Sequence, residues 1–321
     1  MKLISWSGIE RLKQFEALKP IPPILAIAIN ILLLAVANAA DIEANKMEIL
    51  NTEEGRVTVL SNGVTIIDRD TKITANSARF WESKNLVILA DSIKIENPSA
   101  TIRSDTANYY LTERKTILKG NVLVAQESLA IFAPQLTVEY QKDRAYTQAG
   151  FVIVEKTHSL KITGKTGEYL FNQEVGRVDS LPYLEFTKNE TLALSCQKLL
   201  FKNKAKLAIA IGKVKVQSKE AILTCDSLIY FWERDSGVAY QKPMLKEKNN
   251  ELSGQTMVFL AQDSELKQIE IVGDASGQYY NEEGDKVEIS GSNLSLRFAE
   301  GKIYSILVKD VKYGKLYRGK S

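Results

Sequence analysis

The stretch IRSDTANYYLTERKTILKGNVLV, residues 102–124, contains the pattern that decides the fold. It opens with isoleucine and, two positions later, a small residue; Ala107 and Tyr109 follow that small residue by three and five positions. Apolar residues at every second position, with many β-branched and aromatic types, are typical of strands rather than helices. Gly120 precedes the final alternating run and marks a bend, because glycine tolerates backbone angles that other residues avoid. The stretch is therefore predicted to form two strands joined by a turn.

The same pattern recurs about nine times along the chain, at intervals of 29 to 37 residues. Each copy begins with an isoleucine or leucine: Ile42, Ile73, Ile102, Ile131, Ile162, Leu194, Leu223, Leu252 and Ile289. An aromatic residue follows in most copies: Phe80, Tyr109, Tyr169, Phe201, Tyr230 and Phe259. One copy of roughly 30 residues cannot bury its apolar face alone, so the copies are expected to stack into one unit. The sequence thus predicts an all-β, elongated fold of about nine two-strand repeats.

A bend-forming residue lies just before the second apolar run of each copy: Gly63, Asp91, Gly120, Gly150, Pro182, Gly212, Pro243, Gly273 and Asp310. The apolar positions also change parity within a strand, as between the small residue at 104 and Ala107. A strand that changes parity must bulge or bend, or its apolar side chains would turn to solvent. We therefore predict a corner in every repeat.

The N-terminus is interpreted as a targeting segment. Residues 24–37 form an apolar run interrupted only by Asn30, and they follow a basic leader. Ala37-Asn38-Ala39 has the small residues that a signal peptidase needs. We predict a signal peptide over residues 1–39, with an uncleaved membrane anchor as the alternative, and a single repeat domain over residues 40–321.

The composition argues against most classes of enzyme. The chain has 42 Lys+Arg against 39 Asp+Glu, a formal net charge of +3, and one histidine, His158. So small an excess gives little basis for a nucleic-acid-binding face, and one histidine excludes a multi-histidine metal site within the chain. His158 is interpreted as a solvated turn residue. No G-x-x-x-x-G-K-[ST] phosphate-binding motif is present. We predict no enzymatic activity, no cofactor, no metal and no nucleic-acid partner.

The two cysteines occupy the same small-residue position in adjacent repeats. Cys196 and Cys225 lie in a compartment that is expected to be oxidising if the chain is exported. Equivalent residues of neighbouring two-strand repeats lie about 9–10 Å apart, beyond the reach of a disulfide. Two buried thiols are therefore favoured, and a bridge is the alternative.

Short phrases in the repeats resemble the OstA-like family. They are ANSARF (75–80), DTANY (105–109) and LKGNVLV (118–124), and the opening DIEANKME (41–48) resembles the family's entry into its first strand. The family comprises the LptA-type periplasmic proteins of lipopolysaccharide transport, their LptC relatives, and the N-terminal domain of the outer-membrane assembly protein. The similarity extends over about residues 41–313.

The resemblance implies an open β-jellyroll, folded like a taco, whose apolar interior holds lipid acyl chains. It also implies end-to-end pairing of such domains into a periplasmic bridge that passes lipopolysaccharide toward the outer membrane. Two alternatives stay open: an LptC-like component anchored in the inner membrane, and an exported structural β-solenoid without a ligand. An enzyme on a parallel β-helix is disfavoured, because no cluster of acidic residues is in register with the repeat.

These expectations assign candidate residues. The candidate lipid-binding positions, which could equally be core, are Ile73, Ile102, Ile131, Ile162, Leu194, Leu223, Leu252, Phe80, Tyr109, Tyr169, Phe201 and Tyr230. The candidate partner-docking edges are Ile42, Ala44, Met47, Ile49, Ile306, Val308 and Val311, because unpaired strand edges recruit further strands. The expected partners are lipopolysaccharide or a similar lipid, other OstA-like domains, and other copies of the chain.

Overall fold

The computed structural model describes residues 41–157, 159–187, 192–262, 265–280, 284–299 and 302–318. These residues form one antiparallel sheet, as the repeat pattern predicts. The predicted signal peptide and His158 lie outside the described residues.

Long strands fill residues 41–139, whereas many later strands are divided at the predicted corners. The strands of the first half are β1 (Asp41–Thr52), β2 (Gly55–Asp68), β3 (Thr71–Trp81), β4 (Leu86–Asn97), β5 (Ala100–Tyr110), β6 (Lys115–Ala125), β7 (Leu129–Glu139), β8 (Arg144–Thr147), β9 (Phe151–Glu155), β10 (Leu160–Gly164), β11 (Thr166–Leu170) and β12 (Val175–Ser180). The others are β13 (Tyr183–Phe186), β14 (Leu192–Ser195), β15 (Lys198–Lys202), β16 (Leu207–Gln217), β17 (Ala221–Phe231), β18 (Ser236–Tyr240), β19 (Met244–Glu247), β20 (Asn250–Ser253), β21 (Thr256–Gln262), β22 (Glu265–Tyr280), β23 (Lys286–Ala299), β24 (Lys302–Lys309) and β25 (Tyr313–Tyr317). Two 3-10 turns lie at Glu82–Lys84 and Tyr140–Lys142.

The predicted corners are present as bulges. Strand registers shift where the parity was expected to change, for example between Arg103 and Thr106 in the pairing of β5 with β6. Most predicted bend residues have a positive φ, including Gly120 at 74°. At the two prolines the positive φ belongs to the preceding residue, Leu181 or Lys242, because the proline ring fixes its own φ near −65°.

The corners divide the sheet into two walls, and each wall carries a ladder of inward-facing residues. Ladder A joins the Ile/Leu positions directly through the residues of the intervening strands: Ile42, Ile66, Ile73, Ile95, Ile102, Val124, Ile131, Ile153, Ile162, Leu184, Leu194, Val216, Leu223, Leu245, Leu252, Gly277 and Ile289. Equivalent residues of successive repeats are therefore two strands apart, as expected.

Ladder B joins the aromatic positions in the same way: Phe80, Val87, Tyr109, Thr116, Val138, Ala145, Tyr169, Gly176, Phe201, Ala208, Tyr230, Gly237, Phe259, Ile269, Leu296 and Ile306. From Tyr169 to Phe259, aromatic residues alternate with glycine or alanine, and the rings of Phe201 and Phe259 cover Gly176 and Gly237 on the adjacent strands. Buried residues of both ladders belong to one hydrophobic core, so the two walls pack against each other.

This alternation makes one glycine hard to replace. A Cβ atom at Gly176 would lie 1.9 Å from Cε1 of Phe201, whose ring is buried. We expect Gly176→Ala to lower the free energy of unfolding by about 1–3 kcal/mol, as overpacking of a filled core does. The measurement is urea unfolding followed by circular dichroism.

Gly314→Ala is the matched control. Gly314 lies in β25 without a left-handed φ, and an added Cβ atom there would meet no other atom within 4 Å. We therefore expect a change below about 0.5 kcal/mol. Equal unfolding midpoints for the two variants would contradict the packing of Phe201 over Gly176.

Candidate functional site

A cavity of about 500 Å³ lies between the two walls in the C-terminal half of the fold. Ladder A contributes Leu184, Leu194, Val216, Leu223, Leu245 and Leu252 to its lining. Ladder B contributes Tyr230, Phe259 and Ile269, and the other apolar lining residues include Leu228, Met257, Leu266, Phe298 and Ile303. The residues that line the cavity extend from β13 to β24.

Two rows of turns form the opposite edges of the walls. Rim A is the set of turns next to ladder A, residues 69–70, 98–99, 126–128, 218–220 and 248–249. Rim B is the set of turns next to ladder B, residues 53–54, 82–85, 111–114, 140–143, 171–174, 203–206 and 232–235.

Polar residues border the cavity at the rims. Lys219 and Glu220 of rim A, and Glu247 and Asn250 beside it, belong to the cavity lining, as does Asp235 of rim B. The site therefore combines an apolar interior with charged groups at its margin, which is the arrangement that an amphiphilic ligand requires.

Tyr230 lines the cavity with an aromatic ring and an uncharged hydroxyl group. Its ring packs edge-on against Phe186 at 5.1 Å between centroids and stacks with Phe259 at 6.3 Å. Its hydroxyl donates a hydrogen bond to Oδ1 of Asp235 at 3.2 Å. Burial, and secondarily the negative charge of Asp235, raise the pKa of Tyr230 well above its usual value of 10.0. The hydroxyl therefore stays neutral near pH 7, and the ring presents an apolar face.

The predicted lipid-binding positions divide into two groups. Leu194, Leu223, Leu252 and Tyr230 line the cavity. The other eight are buried in the same core outside the cavity lining: Ile73, Ile102, Ile131, Ile162, Phe80, Tyr109, Tyr169 and Phe201. Lipid contact at all twelve stays a prediction.

Several lining residues that are absent from the predicted set belong to the ladders, and the three in ladder A lie on the intervening strands. Leu184, Val216 and Leu245 belong to ladder A, and Phe259 occupies the aromatic position of its repeat. The alternation of Val214 with Val216 was the sequence signal that could have identified one of them.

The predicted docking residues lie at or beside the unpaired ends of the described sheet. Strand β1 pairs with β2, and both β24 and β25 pair with β23, with no other partner among the described strands. Ile49 is exposed on β1, whereas Ile42, Ala44 and Met47 pack against the core. At the other end Ile306 and Val311 are exposed, and Val308 packs against the core.

The two cysteines are free thiols. Cys225 is buried, whereas Cys196 is half-buried and donates a hydrogen bond to the carbonyl of Lys198. Burial raises the pKa of each thiol to about 11. Neither thiol therefore carries much thiolate near neutral pH.

Within the described ranges there is no group of three or more His, Cys, Asp or Glu side chains that could hold a metal ion. The helices found over the same ranges include none with the length and apolar character needed to cross a bilayer.

The fold and the cavity define a class: a repeat-built β-jellyroll whose walls enclose an apolar site between polar rims. A family profile described as the LptA/(LptD N-terminal domain) LPS transport protein matches residues 101–259. The match covers 159 of the chain's 321 residues and supports the resemblance of the chain to this family of transport proteins.

One similar solved structure is that of LptH, described as the LptA homologous periplasmic component of the conserved lipopolysaccharide transport device from Pseudomonas aeruginosa. It is 12% identical, with a TM-score of 0.24, and the match covers 44% of this chain and 80% of that one. Among curated proteins, none matches the chain.

Proposed function

We propose that this chain is a non-enzymatic periplasmic carrier that binds the acyl chains of lipopolysaccharide in its cavity and passes them toward the outer membrane. The observation that carries the proposal is the apolar cavity of about 500 Å³. It lies in a chain whose residues 101–259 match a lipopolysaccharide-transport family. Burial of one methylene contributes about 0.8 kcal/mol, so a twelve-carbon tail gains roughly 10 kcal/mol on leaving water. The charged groups at the rims keep the sugar headgroup in solvent.

The position of the cavity supports transfer to a neighbouring domain. Ile303 belongs to the cavity lining and lies on β24, which pairs with β23 along one edge and has no partner among the described strands along the other. A strand from another OstA-like domain, or from a second copy of this chain, could add to β24 by backbone hydrogen bonding. The added domain would then extend both the sheet and the apolar interior, so that a tail could move on without entering water.

The two ends of the sheet carry opposite charge. Residues 41–54, which include β1, contain five acidic residues and one lysine. Residues 302–318, which include β24 and β25, contain five basic residues and one aspartate. Complementary potentials favour an order in which the basic end of one copy meets the acidic edge of the next.

Export to the periplasm rests on the predicted signal peptide, residues 1–39, and the domain division at residue 40 remains part of the proposal.

Photocrosslinking at two adjacent residues tests lipid binding. Phe259 lines the cavity, whereas Val258, its neighbour on β21, is exposed on the outer face. We expect a benzoylphenylalanine at position 259 to crosslink to added lipopolysaccharide, and the same residue at 258 to give only background. Crosslinking of equal yield at both positions, or at neither, would contradict binding in the cavity.

A further inference from the structure

The two rims are joined by polar contacts in the N-terminal half of the fold. Asp68, where β2 reaches rim A, accepts a hydrogen bond from the hydroxyl of Tyr109 and another from Nε of Arg114, at 3.2 Å. Nη2 of Arg114 also lies 3.7 Å from Oδ1 of Asp70. Tyr109 and Arg114 belong to the rim B side, 41 and 46 residues away from Asp68.

A second contact bridges the rims further along. Oγ of Ser99, on rim A, donates a hydrogen bond to Oδ1 of Asn172, on rim B, at 3.2 Å. The two residues are 73 positions apart in sequence. The mouth between the rims is therefore crossed at two places.

The interior behind these contacts is filled by the chain's own side chains. Ile73, Ile95, Ile102 and Tyr109 are each 0% exposed. The cavity-lining residues Val216, Leu245, Tyr230 and Phe259 of the C-terminal half are all half-buried. The N-terminal half is thus closed where the C-terminal half is accessible.

The chemistry of the contacts suits a closure that can open. The side chains of Arg114 and Asp68 are only 13% and 9% exposed. Desolvation of a buried ion pair costs so much free energy that apolar residues would stabilise a permanently closed core at least as well. When the rims separate, water hydrates each of these polar groups, so no charge is left buried without a partner. Apolar side chains joining the rims would gain no favourable hydration on opening.

We infer that Asp68, Tyr109, Arg114 and the Ser99–Asn172 pair form a latch that holds the N-terminal half shut, and that a lipid tail enters this half only when the latch opens. The inference rests on the proposed lipid binding and adds a gate to it.

The test places a photoreactive residue beside the latch, at a rim B position whose side chain packs against the core. Tyr140 is half-buried, packs edge-on against Tyr109 at 6.2 Å, and can be replaced by benzoylphenylalanine. Asp68→Asn with Arg114→Gln removes the ion pair without leaving a lone charge. Since a charge-assisted hydrogen bond shifts an equilibrium by about tenfold or more, we expect crosslinking of lipopolysaccharide at position 140 to rise about tenfold.

The opposite arm locks the latch. In a Cys196→Ser, Cys225→Ala background, Ser99→Cys with Asn172→Cys is oxidised to a disulfide across the mouth. We expect the slow crosslinking at position 140 to disappear on oxidation and to return on reduction. This arm leaves Asp68 and Arg114 intact, so it decides the question even where the first variant folds poorly.

Position 259 separates this inference from the proposed function. Crosslinking there is expected to be the same in every variant. Unchanged crosslinking at position 140 in both arms, with normal crosslinking at 259, would overturn the latch alone, whereas loss of crosslinking at 259 in the unaltered protein would overturn lipid binding itself.

Discussion

Replacing Leu245 by aspartate is expected to lower the affinity for lipopolysaccharide more than 100-fold. Leu245 lies in ladder A between Leu223 and Leu252, and its side chain is a half-buried part of the cavity lining. A carboxylate there keeps its water shell and excludes about four methylenes, at about 0.8 kcal/mol each. The resulting loss of roughly 3 kcal/mol corresponds to more than two orders of magnitude in the dissociation constant. Titration with fluorescently labelled lipopolysaccharide measures the change.

The matched control puts the same charge on the outside of the same wall. Ile222 is exposed on β17 and pairs with Lys246, the neighbour of Leu245. Ile222→Asp is expected to leave the affinity within about threefold, because it touches no cavity atom. Equal losses for both variants would mean that charge on the wall, rather than exclusion of methylenes, controls binding. Urea unfolding of both proteins confirms that each remains folded.

Most of the fold could be predicted because the repeat carries a strict register. Each copy contributes two residues to each ladder, one from each of its strands, so Ile73, Ile102 and Ile131 recur in ladder A with one intervening strand between them. A one-residue slip would turn these side chains to solvent. The corners were predictable for the same reason, except at Pro182 and Pro243, where proline chemistry moves the left-handed residue one position back.

The position of the cavity could not be predicted. Ile102 and Leu223 are equivalent in the repeat, yet only Leu223 lines the cavity, while Ile102 is fully enclosed. What distinguishes them is how closely the opposing walls approach, and that depends on contacts between residues far apart in sequence, such as Ser99 with Asn172. The repeat pattern indicates which residues pair on adjacent strands of one wall. It gives no information on which residues of the two rims contact each other.

Reversing charges at the basic end is expected to weaken self-association about tenfold at low salt. Lys309, Lys315 and Arg318 are exposed, and replacing all three by glutamate changes the net charge of residues 302–318 from +4 to −2, so both ends of the chain become acidic. Asp41, Glu43 and Glu48 are exposed on β1, and replacing all three by lysine changes the net charge of residues 41–54 from −4 to +2, so both ends become basic. Each variant alone should therefore repel its own copies, and sedimentation velocity measures the loss of assembly.

Mixing the two variants provides the decisive comparison. The acidic ends of one variant then meet the basic ends of the other, so assembly should return to the level of the unaltered chain. If copies instead associated through two identical ends, each junction would join two ends of the same charge. Mixing the variants would then not restore the original assembly size. Because exposed charges are screened over about 10 Å at 0.1 M salt, the differences among the proteins should shrink as the ionic strength rises toward 1 M. Recovery on mixing would therefore support an order in which the basic end of one copy meets the acidic end of the next.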